Sequence, residues 1–194
     1  VPKRDAHNRV RIAQVAARLI ADHGITDWSL AKRKAARELM MPEREALPGD
    51  DEVQAALAEH HALFGRDTHD DQLRRQREEA VLWMRRLAQF APHLTGGVAA
   101  GWATAHSDIR LEILAEDAKS VELVLMNAGQ PYRVMGSDRD GATELYLDQG
   151  VRLSIRTPEQ ARQRRRGADV RLSTGEVEAL LTASTTSPHP ARSK

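Results

Sequence analysis

Cysteine is absent from this 194-residue chain, which excludes disulfides, thiolate catalysis and cysteine-ligated zinc, and fits a reducing cytosol. Aromatic residues make up only 4%, so a core has to be assembled from Ala, Leu, Val and Ile. Neither sign of charge dominates: 29 basic against 28 acidic residues argue against a globally basic nucleic-acid coat and direct attention to local clusters. No apolar run approaches the roughly 20 residues needed to cross a bilayer, and the N-terminus lacks the hydrophobic region of a signal peptide. A cytoplasmic protein without a membrane partner is therefore expected. The chain begins at Val1-Pro2 without a methionine.

Apolar residues at Val10, Ala13, Ala17 and Ile20, flanked by Ile12, Ala16 and Leu19, recur at helical spacing and predict a helix over 8–23, stopped by Gly24. Asp27 is placed to cap a second helix that carries Trp28, Ala31, Ala35 and Leu39 inward, shows Lys32, Arg33, Lys34 and Arg37 outward, and ends before Pro42. A third helix is expected over about 50–65 through Val53, Leu57 and Phe64. The fourth runs over about 70–90 with Leu73, Ala80, Met84 and Leu87 inward.

After Pro92 the pattern changes. Residues 93–98 and 108–114 read as strands, 118–128 as a helix ending at Gly129, and 132–135, 143–147 and 151–156 as three further strands separated by turns. Ser173 with Glu176 suits a capping box for a last short helix, and the Ser, Thr and Pro content beyond Thr182 predicts a disordered tail. Helices first and strands later predict an α+β organisation: a helical region over 1–71, a mixed sheet flanked by helices over 72–181 with the fourth helix packed on it, and a tail over 182–194.

On a strand over 108–114, Asp108, Arg110 and Glu112 share one face and Ile109, Leu111 and Ile113 the other. Just upstream, Gly96, Gly97 and Gly101 frame a turn in which backbone amides can approach a phosphate closely, or which simply connects two strands tightly. Asp, Arg and Glu together can hold one magnesium through carboxylate oxygens, grip phosphate bidentately through the guanidinium, or form a salt-bridged remnant.

The run Gly96-Gly97-Val98-Ala99-Ala100-Gly101 followed by Ser107-Asp108-Ile109-Arg110-Leu111-Glu112 resembles the signature of the polymerase-beta-like nucleotidyltransferase superfamily. In that family a Gly-Ser pair follows a strand, a second glycine turns the chain, and Ser-Asp-Ile-Asp-Leu opens the next strand with two metal-binding carboxylates. Here Gly97 stands in the serine's place and Arg110 in that of the second aspartate. The resemblance rests on motif positions over roughly 72–156; the helical part also looks like the leading segment of small bacterial proteins bearing such a domain.

The likeness implies nucleotide binding by Gly96, Gly97, Gly101, Ser107 and Arg110. In an active enzyme it implies catalysis by Asp108, Glu112 and Glu144, with magnesium on Asp108 and Glu112. Nucleotidyl transfer needs two divalent cations between carboxylates and triphosphate, and Arg110 puts a fixed positive charge where one cation belongs. The family's third carboxylate lies on a later strand, where Glu144 is the candidate and Arg152 the occupant if the last strand is the match. The implied function is that of a catalytically weakened nucleotidyltransferase-like protein, without cofactor, binding nucleotide or nucleic-acid phosphate as a regulator or adaptor. A working magnesium-dependent nucleotidyltransferase and a structural module whose helical half binds a protein partner are the alternatives.

Three other features bear on partners. Arg152, Arg156, Arg162, Arg164, Arg165, Arg166 and Arg171 crowd a segment with few acids, and Arg164, Arg165 and Arg166 are its candidate RNA or DNA contacts, seconded by the cluster at Lys32 to Arg37. Without aromatics nearby, such binding would be backbone-directed; a solvated, acid-paired segment is the other reading. His60, His61 and His69 lie among acids, but adjacent histidines on a helix point about 100° apart and lack the i, i+4 spacing of a zinc pair, so they read as surface residues. Trp28 and Trp83 read as core. Trp102, inside the glycine turn, either stacks on a nucleobase or plugs a pocket.

Overall fold

The alanine-rich stripes in the first third of the chain bury by packing against one another. The computed structural model describes residues 2–23, 25, 27–42, 46–64, 66–137, 141–148, 150–163 and 170–186. Helix α1 (Pro2–His23) starts six residues earlier than the apolar period predicts, with a proline in its first turn, where a missing N–H costs nothing. Helices α2 (Trp28–Glu38), α3 (Asp50–Phe64) and α4 (Arg66–Arg86) follow, and a short 3-10 turn (Ala88–Phe90) completes the stretch expected as the end of the fourth helix. The chain divides into two compact units, residues 1–73 with 101–107 and residues 74–100 with 108–194, the first division falling inside α4.

In the first unit, Ile12, Ala16, Ala31, Ala35, Val53 and Leu57 are fully buried. The carboxylate of Asp27 accepts the Leu30 N–H at 3.0 Å, satisfying one of the orphan donors that open α2. Trp102 joins this core from the 101–107 segment, its ring 4.7 Å from that of Trp28 and tilted by 56°. Trp102 and Trp28 are both partly buried against this core.

The second unit is built on a five-stranded mixed sheet flanked by helices. Its strands are β1 (His93–Thr95), β2 (Ile109–Leu114), β3 (Tyr132–Ser137), β4 (Thr143–Leu147) and β5 (Val151–Arg156), in the order β1-β2-β5-β4-β3. Among the described residues, the β2–β5 pair is the parallel one and the other pairs are antiparallel. Alternation makes the sheet two-faced: Leu111, Ile113, Leu145, Leu147, Val151 and Leu153 are fully buried on one side, together with Met84 of α4 and Val121 of α6 (Ala118–Asn127) elsewhere in the unit's core. The opposite face carries Arg110, Glu112, Glu144, Arg152 and Arg156.

Three expectations need correction. The strand expected over 93–98 ends at Thr95, because Gly96 adopts φ +69° and turns the chain into a short helix, α5 (Gly96–Ala100). Asp108 immediately precedes β2 rather than opening it. The last helix, α8 (Thr174–Thr186), runs through the start of the expected tail, whose remainder, 187–194, lies outside the described residues. A short helix α7 (Pro158–Gln163) that the apolar pattern does not signal follows β5. Ser173 and Glu176 do make the capping contact, with Ser173 N–H donating to Glu176 Oε2 at 2.7 Å.

Candidate functional site

Register decides which polar side chains meet on the sheet. Arg110 is opposite Arg152, and Ser154 is opposite both Glu112 and Glu144, so β5 runs between the strand holding Glu112 and the strand holding Glu144. Arg152 thereby becomes the hub. Its Nη2 lies 3.0 Å from Asp108 Oδ2, and its Nη1 lies 3.6 Å from Glu144 Oε2, all three side chains being partly exposed. A second cluster sits deeper. Glu112 is 4% exposed and receives Arg156 at 3.4 Å and Arg171 at 2.7 Å. Arg171 reaches it because Leu172 bridges to Leu94 of β1, exchanging hydrogen bonds of 2.8 and 2.9 Å that extend the sheet beyond its first strand.

Asp108, Glu112 and Glu144 are thus on one face, but each is matched to a guanidinium. A charge at Glu112's depth is costly unless it is compensated, and two guanidiniums supply the opposite charge. Magnesium would require at least two carboxylates converging on an open position with near-octahedral geometry. Here the guanidinium of Arg152 spans Asp108 and Glu144, and Glu112 faces two further cations. The donor set does not fit the metal. Among the described residues, no group of three or more His, Asp or Glu side chains has an arrangement that could hold an ion.

The remaining candidates are distributed over both units. Arg110 is exposed on the polar face, makes no ion pair among the described residues, and packs its methylenes over Gly96: a Cβ there would stand 3.1 Å from Arg110 Cδ. The positive φ favours glycine at 96, and a Cβ there would make the Arg110 side chain give by a few tenths of an ångström. Gly97 is buried in α5. Gly101 and Ser107 belong to the first unit; the Ser107 hydroxyl accepts the Thr104 N–H at 3.0 Å, closing a turn with the Ser107 N–H bond to the Thr104 carbonyl at 3.1 Å. Its oxygen is employed in the backbone.

Of the arginine segment, Arg162 is exposed at the end of α7, and Arg164, Arg165 and Arg166 lie outside the described residues. Arg152, Arg156 and Arg171 are engaged as above, so part of the cluster serves to neutralise the sheet's own carboxylates. In the other basic cluster, Lys32 is committed to Asp50 at 2.7 Å and the Pro48 carbonyl at 3.1 Å.

The histidines depart from the surface expectation. His61 stacks on His69 with ring centroids 3.8 Å apart and planes 13° apart. Burial, then the charges of neighbouring His69 and His60, push its pKa from 6.5 down to about 4, against the pull of a hydrogen bond to the Trp102 backbone. His69 Nε2–H donates to the Gly101 carbonyl at 3.1 Å. The signal missed in the sequence was the 101–107 segment, whose carbonyls give both imidazoles a partner far away in the chain. Compared with known proteins, the chain matches no family model and no curated sequence.

Proposed function

We propose that the second unit is a nucleotidyltransferase-like domain whose metal-binding carboxylates have become ion-pair partners, and that it binds nucleotide or nucleic-acid phosphate without a metal, as a regulator or adaptor. One observation carries the reading: Asp108, Glu112 and Glu144 are all held by arginines on the face where the resemblance calls for cations. Arg110 is left exposed on that face, and its planar fork suits the bidentate recognition of phosphate. A guanidinium supplies positive charge at a fixed place but cannot replace the Lewis acidity or the in-line templating of two divalent ions. Binding is retained by such an arrangement and transfer chemistry is lost.

The experiment is transfer of label from each nucleoside triphosphate to RNA, protein and small acceptors in magnesium or manganese. No transfer above background is expected, with or without Asp108. Turnover that Asp108→Ala abolishes would replace this reading with an active enzyme.

A further inference from the structure

A cleft of about 720 Å³ opens within the first unit, walled by α1 and α3 and closed by the start of α4 and the 101–107 segment. Its size falls in the range of small-molecule sites. The space exists because alanines, Ala21, Ala56 and Ala105, line it where longer side chains would fill it. The chemistry of the wall is one-sided. Leaving the imidazoles aside, two carboxylates, Asp22 and Glu59, face one guanidinium, Arg18, and that guanidinium is already ion-paired with Glu38. Asp22 accepts from His60 Nε2 at 3.3 Å through Oδ1, and its half-exposed carboxylate keeps further lone pairs. His61, which also lines the cleft, is uncharged at neutral pH and so adds no positive charge to the wall.

We propose that this cleft binds a small organic cation, an amine or amidine whose protons meet Asp22 and Glu59 and whose apolar body lies on Val15, Ala56 and Leu63. An anion would meet two carboxylates and an already engaged arginine, so the site differs in kind from the phosphate-binding face of the sheet. Metal is disfavoured by the stacked rings: imidazoles in parallel planes 3.8 Å apart cannot both aim a lone pair at one ion.

Benzamidine, benzamide and benzoate share one shape and differ in charge, and agmatine offers a flexible cation. Titrated into the full chain at neutral pH and followed by amide NMR, benzamidine or agmatine should shift residues around Asp22, Ala56 and Glu59 saturably. Benzamide should bind at least about tenfold more weakly and benzoate not at all, because charge-assisted hydrogen bonds are roughly twice as strong as neutral ones. Glu59→Gln should weaken binding by about tenfold. Ala56→Leu should abolish it by filling the space; if that variant fails to fold, Asp22→Asn takes its place. No saturable shift with either cation at millimolar concentration, benzoate binding as tightly as benzamidine, or affinity unchanged in Glu59→Gln would overturn the proposal.

Discussion

Replacing Arg152 by alanine removes the cation that bridges Asp108 and Glu144 and leaves their like charges uncompensated. Breaking a fully buried pair costs about 3–5 kcal/mol, and an exposed one contributes about 0.2–1 kcal/mol. Arg152 is 31% exposed, and Asp108 and Glu144 are each 24% exposed, with contacts of 3.0 and 3.6 Å. Between those limits, and after solvent screening, Arg152→Ala should destabilise the protein by about 1–2 kcal/mol. For a chain of this size that lowers Tm by about 2–8 °C. The vacated position, flanked by two carboxylates, then becomes a cation site. With a Kd of about 1 mM, magnesium at about ten times that concentration would restore about 1.4 kcal/mol. Thermal unfolding of wild type and variant, with and without magnesium, reads both effects. If Arg152→Ala is as stable as wild type, or if magnesium stabilises the two proteins equally, Arg152 does not occupy a cation's place.

Other consequences are local. Gly96→Ala should cost about 1–2 kcal/mol in denaturant unfolding, because alanine at φ +69° pays the left-handed penalty and its Cβ crowds Arg110. Asp27→Ala should cost about 1 kcal/mol by removing the cap on α2. The folded-state pKa of His61 lies below its unfolded value, so the unfolded chain takes up that proton first. Its contribution is full above about pH 6.5 and is lost as pH falls toward 4. Discounted for a half-exposed ring, about 1–2 kcal/mol should disappear over that interval, and His61→Gln should flatten the pH dependence of unfolding there.

Much of this architecture was legible from periodicity. Ile109, Leu111 and Ile113 against Arg110 and Glu112 set the two faces of β2, and Asp27 and the Ser173–Glu176 box marked helix starts by chemistry confined to four residues. What failed was either non-periodic or long-range. The first turn of α1 has no apolar rhythm to detect, and Thr95 is followed by Gly96, whose positive φ ends the strand despite the apolar Val98 beyond it. Most instructive is the partner of Asp108. Arg110 is two residues away, but side chains on one face of a strand are spaced by nearly 7 Å along it, whereas neighbouring strands lie about 4.8 Å apart. The contact went to Arg152, 44 residues away, once β5 rather than β4 paired with β2. No local pattern contains that choice, just as none links His61 and His69 to the carbonyls of the 101–107 segment.

Metal-free phosphate binding can be read by calorimetric titration with a nucleoside triphosphate in EDTA, repeated in magnesium. Saturable binding is expected in EDTA, unstrengthened by magnesium and abolished by Arg110→Glu with the fold retained. Binding that appears only with magnesium or manganese, and that Asp108→Ala removes, would contradict it.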